Sequence, residues 1–154
     1  VLDAFALPAH PLVAEEEGRG DLVAARFVAS RSVWLSVVVS VGLGVVIAAT
    51  SPALPRLFTS DADVAHTATI GMLWLAVIVI PAAVAFAHDG ILIGAGDYRF
   101  LGLAAVGYLV AVTPIAVVAL SVPDLGISGI WAGILVWMIL RAVVNTRRTR
   151  HVLA

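Results

Sequence analysis

His88-Asp89-Gly90-Ile91-Leu92-Ile93-Gly94-Ala95-Gly96-Asp97-Tyr98-Arg99-Phe100 is the stretch that decides the fold of this chain. A long apolar run stops there, a glycine-rich turn follows, and a second apolar run begins at once. Gly94 and Gly96 allow the positive φ angles that close a helix at its C-terminal end. Asp97 is placed to accept from the free N–H groups that open the next helix. The same device stands earlier, at Gly18-Arg19-Gly20-Asp21, again between a helical stretch and an apolar run. Two Gly-x-Gly-Asp turns in matching places predict a repeated pair of helices that enter and leave the same side of a membrane.

Composition agrees with that reading. Of 154 residues, 62% are hydrophobic and 12% are charged. Soluble domains carry about a quarter charged residues, so the chain belongs in a bilayer. The net charge of −1 gives no sign of a nucleic-acid partner, and the absence of cysteine removes thiol nucleophiles, disulfides and Cys-based metal sites.

Working outward, residues 1–14 are apolar but broken by Asp3, Pro8, His10 and Pro11. As a helix they would reach about 21 Å, short of the ~30 Å hydrocarbon core. They read as the tail of a fifth span. Glu15, Glu16 and Glu17 open a water-loving loop, and residues 21–31 form an amphipathic lead-in. Residues 32–55 carry no charge and predict one span, stopped by Pro52 and Pro55. Gly42 and Gly44 suit close approach of a neighbour. Ser60-x-x-Asp63 has capping-box spacing, which starts a second span over about 64–90 with Pro81 inside. A third covers 100–122 with Pro114 inside, and a fourth runs from about 125 to Arg141, short for a span unless Arg141 snorkels or faces the bundle interior, followed by a basic tail. Gly129-x-x-x-Gly133 predicts a close helix crossing. The expected class is therefore an all-α membrane protein of four full spans plus the tail of a fifth, one unit over 1–154.

Orientation follows from counting arginines. Arg19, Arg26, Arg31, Arg99, Arg141, Arg147, Arg148 and Arg150 fall on the side of the Gly-x-Gly-Asp turns, and Arg56 alone falls on the other. Cytoplasmic loops are the arginine-rich ones, so the C-terminus is expected in the cytoplasm of a multi-pass inner or plasma membrane protein.

Enzymatic chemistry finds little support. His10, His66, His88 and His151 are scattered, without the His-x-x-x-His or Glu-x-x-His spacing that grips a metal. No cofactor is expected. Asp89 is the acid that stands out, because a carboxylate at the end of an apolar span is costly unless paired, hydrated or protonated. One reading makes it a proton-linked or gating acid on a water-filled cavity, with His88 beside it. The preferred reading is structural, a carboxylate paired with Arg99 or bonded to a neighbouring loop. Pro81 and Pro114 are candidate hinges, because proline loosens the backbone ladder of a membrane helix.

These residues also resemble a known family. The run from Phe86 to Arg99, Phe86-Ala87-His88-Asp89-Gly90-Ile91-Leu92-Ile93-Gly94-Ala95-Gly96-Asp97-Tyr98-Arg99, resembles the signature after the tenth helix of multidrug and toxic-compound extrusion (MATE) transporters, in the branch named for DNA-damage-inducible protein F. Leu54-Pro55-Arg56-Leu57-Phe58-Thr59-Ser60-Asp61 resembles that branch's loop between helices nine and ten. Gly129-Ile130-Trp131 with 137–141 resembles its last helix, and Leu2-Asp3-Ala4 with Gly18-x-Gly20-Asp21 resembles the end of helix eight and its loop.

The resemblance implies twelve helices in two six-helix lobes around a central cavity. It implies export of organic, often cationic compounds by alternating access, driven by protons or sodium. This chain would be part of the C-terminal lobe, the end of helix eight and helices nine to twelve, with the N-terminal lobe and its first-helix coupling acid as the missing partner. His10 replaces a usual Gln, and Pro8 and Pro11 replace small residues. Ala82 falls where sodium-linked relatives carry an acid, which counts against a sodium site. The expected function is a piece of a secondary-active exporter that does not transport alone. The alternatives are a small stand-alone accessory membrane protein, or a lipid-linked oligosaccharide flippase of the same superfamily, whose cavity would carry more arginine and lysine within the spans.

Overall fold

The computed structural model describes residues 11–16, 18–122 and 125–153. The expected tail of a fifth span lies mostly in residues 1–10, outside the described residues. Four long helices make up the rest: α1 (Leu22–Thr50), α2 (Ala62–Gly94), α3 (Tyr98–Ser121) and α4 (Gly126–Val152), with a 3-10 turn at Pro55–Leu57. All four are long and apolar enough to cross a membrane.

Three boundaries differ from the sequence reading, each for a physical reason. The lead-in at 21–31 is not a separate element, because nothing in it breaks a helix and α1 runs on unbroken from Leu22. α2 starts earlier than 64, since Asp61 is the cap. Its carboxylate accepts from the backbone N–H groups of Asp63 and Val64 at 2.9 and 3.1 Å, so Ser60 is not the capping residue. α4 does not stop at Arg141 but continues to Val152. Residues 134–153 contain no glycine or proline to end it.

α2 is the central helix, packed against α1 and α4. Its chain direction is opposite to α1 and the same as α4. Thr69 meets Ser51 just past the end of α1, Trp74 meets Ser128 of α4, and His88 meets Thr149. One core joins Ile78, Ala82 and Met138 with Trp74, Phe86, Trp131 and Trp137. Small residues set the closest contacts. A Cβ on Gly44 would lie 2.6 Å from the Ala76 carbonyl oxygen, so glycine alone allows α1 and α2 to touch backbone to backbone there. On α4, Gly133 faces Ile115 and Gly129 faces Ala119, each 3.4 Å from a would-be Cβ, which is the close crossing with α3 that their spacing predicts. α3 is otherwise the least buried helix, with Tyr108 its one buried residue.

Candidate functional site

Both Gly-x-Gly-Asp turns lie at one end of the bundle. α2 closes there with the pattern in which Asp97 N–H reaches Leu92 O at 2.9 Å and Gly96 N–H reaches Ile93 O at 3.0 Å. That pair of hydrogen bonds satisfies carbonyls the helix end would leave open, and it requires the left-handed φ of +70° found at Gly96. Gly94 is the last helical residue and does not take a positive φ. Asp97 does not cap α3 with its side chain. It accepts instead from Arg148 Nε at 2.6 Å, and the Arg148 guanidinium lies 5.1 Å from the centre of the Phe100 ring.

Two turns up α2 from this closure sits the polar centre of the bundle. Asp89 projects toward α4, where Arg141 and Asn145 stand one turn apart on the same face. Arg141 donates to Asp89 Oδ2 at 2.5 Å, and the Asn145 amide donates to Oδ1 at 2.6 Å. Tyr108 of α3 donates its hydroxyl to Asn145 Oδ1 at 2.7 Å. Three helices thus meet through one hydrogen-bonded chain, Tyr108 to Asn145 to Asp89, with Arg141 closing it. Phe86 and Trp137 flank the guanidinium, with ring centres 5.2 and 5.9 Å from Cζ. Arg141 therefore faces the bundle, held by charge and by aromatic faces.

The network lies on a cavity of about 560 Å³ between α2, α3 and α4, whose other walls include Leu101, Ala105 and Val112. Chemically, the pair matches the carboxylate's charge among apolar walls and gives each of its oxygens a hydrogen-bond donor. A proton on Asp89, or a second cation beside it, would loosen its hold on Arg141.

The sequence reading put Asp89 against Arg99 or a loop; among the described residues it bonds to Arg141 and Asn145, which the extended α4 delivers. His88 is adjacent in sequence but looks elsewhere. It is buried, with Nδ1 3.0 Å from Thr149 Oγ1, and it lines a second cavity between α1, α2 and α4. The two candidates are therefore not one site. Pro81 lies inside α2 about two turns before Asp89, and Pro114 lies on an exposed part of α3. Asn145 was not singled out by sequence. Its signal was the spacing Met138, Ala142, Asn145 and Thr149, a buried stripe at intervals of three and four.

The MatE family model matches residues 4–118. Protein DETOXIFICATION 44, chloroplastic, of Arabidopsis thaliana is 30% identical over 146 residues, covering 95% of this chain and 28% of that protein. Multidrug and toxin extrusion protein 1 of Homo sapiens is 26% identical over 140 residues, covering 90% of this chain and 25% of that protein. The chain thus spans about a quarter of the length of these curated relatives. No solved structure matches it.

Proposed function

Because the chain belongs to the MatE family, we propose that it forms part of one lobe of a secondary-active exporter of small organic compounds, cationic ones among them. The observation that carries this reading is the family match over 4–118, coincident with a bundle that holds an acid–arginine pair on a half-open cavity between its helices. The motif around Asp89 and Asp97 supports placing it in the branch named for DNA-damage-inducible protein F. The lobe works against a second, N-terminal lobe by alternating access, with proton or sodium antiport as the driving force, and does not transport by itself. Membership of a transporter family also argues against an enzymatic role.

Within that machine, Asp89 acts on the balance between conformations. An exporter needs a group whose interactions differ between its states, and Asp89 bridges two helices while facing the cavity. Pro81 and Pro114 serve as places where α2 and α3 bend. The ends of the bundle suit a cytoplasmic C-terminus, since the arginine-rich segments at both Gly-x-Gly-Asp turns and at the end of α4 fall together.

The test uses the complete transporter that contains this chain, in cells lacking other efflux systems, with accumulation of several unrelated fluorescent compounds as the readout. Asp89→Asn reduces export of all of them alike. Loss confined to cationic compounds would make Asp89 a substrate-binding group, and unchanged export would remove it from the mechanism. Orientation is tested separately: cysteines at Ala95 and Thr149 escape an impermeant thiol reagent in intact cells, whereas one at Ser60 reacts. Labelling at Ala95 from outside would reverse the topology.

A further inference from the structure

Asn145 and Tyr108 belong to the polar chain at Asp89, yet the proposed function gives them no task. Asn145 is enclosed, with 0% of its surface exposed. Tyr108 is the buried residue of α3 and lines the half-open cavity beside Asp89. A carboxamide donates at one end and accepts at the other, and its shape is nearly the same either way round. Here the amide end donates to Asp89 Oδ1 at 2.6 Å, and the carbonyl end accepts from the Tyr108 hydroxyl at 2.7 Å. That direction is the one an ionised carboxylate demands, because such a group only accepts.

A proton on Asp89 changes the demand. Oδ2 faces Arg141 at 2.5 Å, and a guanidinium has no acceptor to offer. Oδ1 faces Asn145, which can present its carbonyl to a new O–H once the carboxamide turns over. Enclosure makes it turn in place, since moving away would leave buried polar atoms unpaired. The amide end then points at Tyr108, whose hydroxyl accepts as readily as it donates. Its hydrogen swings toward the cavity. The chain from Tyr108 to Asp89 stays hydrogen-bonded in both states.

The other charged and titratable groups nearby do not take this part. On α2, His88 is turned to Thr149, and beyond the helix end Asp97 holds Arg148. Arg26 of α1 lines the second cavity, and arginine only donates.

We propose that Asn145 and Tyr108 are positioning residues for Asp89. When Oδ1 takes up a proton from the cavity, the Asn145 carboxamide turns end for end and Tyr108 changes from donor to acceptor. The Oδ1–H bond is the one covalent bond made, and its proton comes from solution. Protonation of α2's acid is thereby registered on α4 and on α3, which is otherwise little buried. Use of this reversal in antiport rests on the proposed function; the reversal itself does not.

The test is infrared difference spectroscopy of the full-length protein that contains this chain, in detergent, between alkaline and acid buffer. Ring-deuterated tyrosine identifies the tyrosine bands. The C–O stretch of a phenol moves to lower frequency when its hydroxyl turns from donor to acceptor, so one tyrosine band moves down on acidification. Tyr108→Phe removes that band. Asp89→Asn, which does not titrate, and Asn145→Leu, which has no carboxamide, both abolish the movement, and they assign the band should Tyr108→Phe fail to fold. A wild-type protein with no moving tyrosine band would overturn the proposal, as would an equal movement in Asp89→Asn or Asn145→Leu. Export is read separately. A moving band with export untouched by Asp89→Asn keeps the reversal and removes the exporter role of Asp89; lost export with a still band does the opposite.

Discussion

The turns at Gly18–Asp21 and Gly94–Asp97 share a four-residue pattern and a backbone solution, yet their aspartates do different work. In both, the third residue takes a left-handed φ, +75° at Gly20 and +70° at Gly96. In both, the aspartate N–H reaches back five residues, Asp21 to Glu16 O and Asp97 to Leu92 O. The side chains then part. Asp21 caps its own helix, accepting from Ala24 N–H at 2.9 Å, while Asp97 leaves its helix uncapped and accepts from Arg148 of α4. A local motif fixes the path of the backbone, but what lies across the bundle decides what its carboxylate binds. The first turn has arginine–glutamate pairs on its own segment, Arg19 with Glu15 and Glu16. The second sits beside the end of α4.

The sharpest way to break this contrast is to cut the ties between α2 and α4 that lie next to the second turn. Arg141→Ala removes the arginine from Asp89, whose side chain is 13% exposed, and lowers stability by about 2–3 kcal/mol, the buried-pair penalty reduced for partial exposure. Denaturant unfolding in detergent measures it. The double variant Asp89→Ala with Arg141→Ala recovers much of the loss, because no charge is then left without its partner. An additive loss would mean that the pair is not coupled.

What the two turns share is tested at their glycines. Gly20→Val and Gly96→Val each cost roughly 1 kcal/mol or more, because a β-branched residue resists φ near +70°. The space around both positions is open, so the two costs should be alike. A much larger loss at Gly96 would point to a contact beyond backbone geometry.

The aspartates should then separate. Asp21→Ala costs about 0.5–1 kcal/mol, and Asp21→Asn close to nothing, since Asn caps as well as Asp does. Asp97→Asn has a small effect too, with a different signature. It weakens the link to Arg148, so wild-type protein loses stability with added salt across this link while the variant does not. Amide exchange in the first turn of α3 reads the same difference. If the two Asn variants are indistinguishable at all salt concentrations, Asp97 is an ordinary cap.

Why one turn was legible and the other only half so is clear from α4. The spans, the glycine closure and the Asp21 cap depend on neighbours in sequence, and hydropathy and turn chemistry expose such features. The arginines that pair with Asp89 and Asp97 lie 52 and 51 residues away, at the start of and within a segment that looks like a solvated tail. Their charge masked an unbroken helix. The spacing of Met138, Ala142, Asn145 and Thr149 carried the information, but an amphipathic stripe with Asn and Thr among its members registers poorly on a hydropathy scale. The split between His88 and Asp89 was legible in principle, since adjacent residues on a helix point about 100° apart. Which of the two would meet α4's arginine was not.

The backbone contact at Gly44 has a further consequence for how the protein meets bilayers of different thickness. α2 has 33 residues and is about 50 Å long, well beyond the ~30 Å of hydrocarbon available to it. A long helix with a cushioned neighbour could slide past it to adjust. α1 and α2 have no such cushion, because the Ala76 carbonyl sits in the notch that Gly44 leaves. The two must lean together, and a thinner membrane is met by a steeper tilt of the pair, not by slippage along their seam.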